Sequence, residues 1–244
     1  MLSRAASTRK SIAAAFAFGC FAAAPVLAQD ASPGDGLPTV AVMNFTNGAL
    51  VRPADYAGLS QGISEILVVG LAANAKVRVV ERQKIQAVLA EQKFDATDAV
   101  DQETAVRLGR ILGAQHLIMG SFLVDTKERV RIDVHSVNVE TGKIEYVETV
   151  EGRSRELLDV VDRLGEKMDK TLHLPAMAQV IPQSRDGRAK ADQGKAVLLL
   201  GRAIAAKEKG DISGARAAAT EALVVFPEFQ PAQTFVASLP AATP

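Results

Sequence analysis

The sequence predicts an α+β fold: a mixed β-sheet with helices packed on it, followed by a linker and a helical hairpin. Three observations lead there. Apolar runs of strand length alternate with helical stripes between residues 38 and 112. Three strand patterns then follow one another across tight turns between residues 116 and 150. Beyond residue 194 the chain becomes Ala-rich and helical throughout.

The elements come in a definite order. "PTVAVMNF" (38–45) is short, Val-rich and ends in the turn-like "TNG", as a buried strand would. In 57–75, Leu59, Ile63, Ile66, Leu67 and Leu71 make one helical stripe, with Asn74 as its stop. Val77, Val79 and Val80 read as a second strand; the chain then turns at Glu81 and Arg82 into an amphipathic segment striped by Ile85, Val88 and Leu89. The next helix spans 102–112, with Asp101 as N-cap, Ala105, Leu108 and Leu112 as stripe and Gly113 at the C-terminal glycine position.

"HLIMGSFLV" (116–124) is an apolar strand and "RVRIDVHSVNV" (129–139) an alternating one. In the latter, Val130, Ile132 and Val134 keep one phase while Val137 and Val139 keep the other, so a bulge is expected near His135 and Ser136. "ETG" (140–142) turns the chain into "KIEYVETV" (143–150), completing an antiparallel meander. Leu157, Leu158, Val161, Leu164 and Met168 stripe a closing helix. The domain is expected to cover 38–171. Residues 172–193, with two prolines and no period, read as a linker.

In 194–239 the spacing of Gly210, Asp211, Ala215, Ala222 and Pro227 resembles the second half of a tetratricopeptide repeat, and Ala203 fits the small position of its first helix. Ala206 and Ala219 stand where that pattern has bulky aromatics. One repeat cannot bury its own face, so this segment must pack on the domain, on another copy or on a partner helix.

Before the domain come two segments that should not enter its core. Residues 1–28 read as a secretory signal: Arg4, Arg9 and Lys10 precede an apolar run that closes with Val26 and Ala28 at the cleavage positions. Residues 29–37, "QDASPGDGL", read as a flexible leader. Removing three basic residues from 28 leaves 25 Lys and Arg against 28 Asp and Glu, a net charge of −3. That balance supplies no field to gather nucleic acid or anionic lipid. The single cysteine, Cys20, lies inside the signal, so the mature chain has no disulfide and no thiol nucleophile. Cys20 follows Gly19 as in lipidation signals, although Ala17 stands where such signals carry Leu. No later stretch is long and apolar enough for a membrane-spanning helix.

Catalytic patterns do not assemble. His116, His135 and His173 are scattered without metal-ligand spacing, and His135 is expected on a solvated face. "MGSFL" around Ser121 lacks the second glycine of a nucleophile elbow, and neither a dinucleotide fingerprint nor a phosphate loop occurs. Asp159 and Asp162 read as solvating charge on a helix face. No cofactor and no metal is implied. At Glu81 and Arg82 the choice lies between a catalytic corner and a charged strand-to-helix junction.

"VVERQKIQAVLAEQK" resembles the signature segment of the CsgG family of curli secretion and assembly proteins, in which a strand ends in Glu-Arg-Gln before a helix. "VAVMNF", "LGAQHLIMGSF" and "VHSVNVETGKI" resemble further segments of that family, in the same order, over residues 38 to 170. The residues carrying the likeness are Glu81, Arg82, Gln83, Gly113, Gly120, Ser121, Asn138, Thr141 and Gly142. The architecture also resembles the amino-terminal domain of TolB, the FlgO proteins and LpoB. The resemblance implies a non-enzymatic exported protein, periplasmic or outer-membrane-associated, that binds envelope proteins, self-associates and serves as a scaffold or assembly component. The alternative it implies is a subunit, or a lipid-anchored accessory, of an outer-membrane export channel. In the family's channel, two long hairpins form the pore. Here the interval "LVDTKERVRID" is too short for two crossing strands of about 9–11 residues each.

Overall fold

In a computed structural model the protein is described over residues 36–93, 101–172 and 186–241. The strands are β1 (Thr39–Val42), β2 (Thr46–Asn47), β3 (Arg78–Val79), β4 (His116–Val124), β5 (Arg129–Asn138) and β6 (Ile144–Arg153). The helices are α1 (Leu59–Ala72), α2 (Arg82–Glu91), α3 (Gln102–Leu112), α4 (Leu157–Leu172), α5 (Gly187–Glu208), α6 (Ile212–Val225) and α7 (Gln230–Ala237). The sheet order is β3-β1-β4-β5-β6, with β2 paired to β4. β1 runs parallel to β3 and β4, whereas β4, β5 and β6 are antiparallel neighbours. This is the mixed sheet of an α+β fold.

Alternation along each strand sends side chains to two cores, one on each face of the sheet. Val40 and Val42 of β1 join Ile118 and Phe122 of β4 in the larger core, beneath α1, α4 and α5. Ala41 and Met43, with Leu117 and Met119, enter the smaller core beneath α2 and α3. β5 contributes to both. Val130, Ile132 and Val134 enter the larger core, Val137 and Val139 the smaller one, and the register shifts between Ser136 and Val137. The irregularity expected in β5 lies in β6 instead: Ser136 pairs with Tyr146 and Val137 with Ile144, so the extra residue is Glu145, while β4 and β5 stay in unbroken register and ordinary alternation carries Val137 and Val139 to the opposite face.

Local chemistry ends the elements where the sequence predicts. The Asp101 carboxylate accepts from the Thr104 N–H at 2.8 Å, and Gly113 closes α3 at φ 70°. Asn138 Oδ1 accepts from the N–H groups of Glu140 and Thr141, at 3.1 and 2.9 Å, to build the β5–β6 turn, which Gly142 completes at φ 70°. The β4–β5 connection is short: Asp125 Oδ1 accepts from the N–H of Lys127 at 2.8 Å and of Arg129 at 2.9 Å.

Several expectations need correction. α5 begins at Gly187, inside the stretch expected to be linker, because Asp186 caps it through the Arg188 N–H at 2.9 Å. Its first turns are polar and carry no apolar stripe, which hid them. Asp159 is not merely solvating; its carboxylate pairs with Lys190 and ties α4 to α5. His135 is half-buried, and burial holds its imidazole below the ordinary value of 6.5. The C-terminal segment also holds a third helix, α7, with Phe229 fully buried at its start. Cys20, Val26, Ala28 and His173 lie outside the described residues.

The helical segment packs on the domain of its own chain. α5 lies so close to α1 that a Cβ at Gly201 would sit 1.6 Å from the Gly58 carbonyl oxygen. A Cβ at Gly62 would meet the Val197 carbonyl at 2.7 Å. Glycine is required at these positions by proximity alone. Ala203, Ala215, Ala219 and Ala222 are all fully buried, so small side chains also set the spacing within the hairpin.

Candidate functional site

The Glu81–Arg82–Gln83 corner lies where β3 hands over to α2. The Val80 N–H still donates to the Val40 carbonyl at 2.8 Å, extending the ladder by one residue. Glu81 then takes the N-cap position with extended backbone, and its carbonyl accepts from the Ile85 N–H at 3.2 Å. Its side chain makes no capping bond and is exposed, as is that of Gln83.

Arg82 turns the other way. Its Nη2 donates to Asn44 Oδ1 at 2.8 Å and to Ser64 Oγ at 3.2 Å. Its Nε lies 3.2 Å from Glu208 Oε1, both side chains being 18% exposed. Ser64 in turn donates to the Gln61 carbonyl at 2.9 Å. One guanidinium thus joins the segment after β1, the buried face of α1, the start of α2 and the end of α5. A planar fork of donors suits such a task better than an ammonium would. With these partners engaged, Arg82 acts as a clamp between elements.

Beside the clamp runs a groove of about 590 Å³, walled by α1, α2, α5 and α7. Val68, Val69, Ile204, Pro231 and Phe235 give it an apolar lining, while Glu81, Arg82 and Gln83 stand along one side. Glu65 and Glu208 also line it. Burial pushes the Glu65 carboxyl above its ordinary value of 4.5, with Arg82 and Lys207 partly opposing the shift. Burial likewise raises Glu208, again opposed by Arg82 and by a hydrogen bond from Gln61, while the neighbouring Glu65 charge adds to the rise. Lys207 is drawn aside: its Nζ lies 5.3 Å from the Phe235 ring centroid and donates to Ser238 Oγ at 3.4 Å.

The other motif residues do not gather here. Gly113, Asn138, Thr141 and Gly142 shape a helix end and a turn. Gly120 sits under Phe45, where a Cβ would come within 2.4 Å of the ring and 2.5 Å of the Asp133 carbonyl. Ser121 is a half-buried strand residue paired with Asp133. His116 pairs with Glu145, which also accepts from Ser136 Oγ at 3.2 Å and Asn138 Nδ2 at 3.1 Å. Among the described residues no three His, Cys, Asp or Glu side chains converge as a metal site. Sequence reasoning missed Asn44, Ser64, Glu65, Lys207, Glu208 and Phe235. The available signal was a polar residue inside an apolar run, Asn44 in "VAVMNF", and a serine, Ser64, beside the α1 stripe.

Comparison with known proteins bears on this corner directly. Residues 22–125 match the model of the family described as curli production assembly/transport component CsgG. Over that segment the chain is similar to the CsgG family. The matched segment includes Arg82, Asn44 and Ser64 and ends as β4 ends, so Glu208 lies beyond it together with β5, β6 and α4 to α7. Among solved structures the chain is similar to the LpoB C-terminal domain from Salmonella enterica, at 18% identity over 49% of this chain and 87% of that one, with a TM-score of 0.39. It is similar to TolB from Acinetobacter baumannii at 10% identity, over 57% of this chain and 29% of that one, with a TM-score of 0.41. It is also similar to a lipoprotein from Neisseria meningitidis, at 18% identity over 47% and 79% of the two chains, with a TM-score of 0.39. No curated protein matches the chain.

Proposed function

We propose that this protein is a non-enzymatic cell-envelope accessory, periplasmic or outer-membrane-associated, that works by holding partners in an assembly. The observation that carries this reading is the clamp. Arg82, in the segment similar to the CsgG family, is bound to Glu208 of the C-terminal helices, 3.2 Å away, and the two parts together wall an apolar groove. Such a site offers contact surface and places no nucleophile beside a general base. A guanidinium engaged by side chains of its own chain, and not held open for a substrate anion, fits a scaffold.

The test is fractionation and intact-complex mass measurement of the native protein. Release by osmotic shock, together with a stoichiometric complex containing a second envelope protein or further copies of the chain, is the expected result. A purified protein that turns over a substrate would overturn the non-enzymatic reading. Conductance steps in a planar bilayer would replace the scaffold with the channel alternative.

A further inference from the structure

The groove beside Arg82 has an unbalanced electrostatic lining. Three carboxylates, Glu65, Glu81 and Glu208, face two cations, Arg82 and Lys207. Both cations are already committed: Arg82 to Asn44, Ser64 and Glu208, and Lys207 to the Phe235 ring and Ser238. Glu208 is answered by Arg82. Glu65 makes no hydrogen bond or ion pair with any described residue, although it is only partly accessible and lies among Val68, Val69 and Ile204. A carboxylate held among apolar side chains without a contact partner weakens the fold, and such local inconsistencies mark functional positions. Burial raises its pKa, in keeping with an unmet need for a counter-charge.

We propose that the groove is a docking site for an amphipathic helix of a partner protein, which inserts apolar side chains against Val69 and Phe235 and one lysine or arginine against Glu65. This rests on the partner-binding reading above and specifies its chemistry. The volume, about 590 Å³, takes a few side chains from one helix face and not a whole helix. The four surrounding helices offer side-chain walls instead of a free strand edge, which favours a helical occupant over an added strand. Charge complementarity decides the sign: Glu65 feels Arg82 and Lys207 only at a distance, both being bound elsewhere, so the guest must bring a cation.

Fluorescence anisotropy with designed peptides tests this directly. The probe is a fluorescein-labelled Ala/Gln helix of about 14 residues carrying leucines at i and i+4 and one lysine on the same face. Its twin replaces the lysine by norleucine, and a third peptide carries glutamate there. The wild-type protein is expected to bind the lysine peptide at least about tenfold more tightly than the norleucine peptide. Glu65→Gln should shrink that gap to less than about twofold, and Glu65→Lys should reverse it in favour of the glutamate peptide. Far-UV circular dichroism and thermal melts establish that both variants are folded. Equal affinity for the lysine and norleucine peptides would overturn the proposal, as would no binding of the lysine peptide at about 1 mM. A monomer–dimer equilibrium lost in Glu65→Gln would assign the groove to a second copy and overturn it too. A native complex that survives Glu65→Gln unchanged would sink this site while leaving the scaffold reading intact.

Discussion

Gly201→Ala sets two physical effects of opposite sign against each other. In an open helix the change should stabilise by about 0.5–1 kcal/mol, because alanine loses less backbone entropy than glycine. In α5 the new methyl would stand 1.6 Å from the Gly58 carbonyl oxygen, 2.6 Å from its carbon and 2.9 Å from the Gly62 nitrogen. All three are backbone atoms of the α1 start, so no side chain can rotate away. Reaching an ordinary 3.4 Å contact requires a retreat of 3.4 − 1.6 = 1.8 Å along that direction. A shift of that size loosens the packing of fully buried neighbours such as Val197 and Ala203. Overpacking of this kind costs about 1–3 kcal/mol and sometimes more, so we expect a net loss of about 3 kcal/mol. For a folded unit of this size that lowers Tm by roughly 6–12 °C. Urea unfolding followed by circular dichroism measures the loss, with Gly187→Ala as control, since nothing lies within 4 Å of a Cβ there. Gly187→Ala should be neutral or slightly stabilising. If Gly201→Ala matched its control, the close approach of α1 and α5 would be wrong.

Arg82→Ala should destabilise by about 3 kcal/mol, because it strands Glu208, Asn44 and Ser64 at a largely buried site, whereas Glu81→Ala should stay within about 0.5 kcal/mol; paired denaturant melts separate the two. Glu65→Gln should raise Tm at pH 7. Since the folded carboxyl has a raised pKa, the native state holds its proton longer than the unfolded chain, so this group's share of stability is complete below about 4.5 and falls as pH rises above it. The advantage of the glutamine variant should therefore shrink as thermal melts are repeated towards pH 4.5, and a gap that widened instead would refute the burial argument. Gly113→Ala should lose about 1 kcal/mol by thermal melting, since φ 70° at the end of α3 is the left-handed region.

Local features were legible because their causes are local. Asp101 and Gly113 bracket α3 through contacts within four residues, and the Asn138, Thr141 and Gly142 turn depends on neighbours equally near. That β5 would serve two apolar faces could be read from valine positions alone, whereas the extra residue, Glu145 on β6, could not. The Arg82 partners could not, since they come from three distant segments and no periodicity links them. Glu65 was hidden differently: on the α1 stripe it reads as a polar gap, and only the position of α7 turns it into part of a groove. The start of α5 escaped notice because its polar first turns are held by the Lys190 pairing with Asp159, a contact across elements.

The rooting of β5 in both cores has a mechanical meaning. Because one strand is rooted in both apolar interiors, neither can melt while the other keeps its full set of partners. Heat should thus take the two layers apart in a single step, and losing one residue of β5 between Val134 and Val137 would turn the end of that strand inside out.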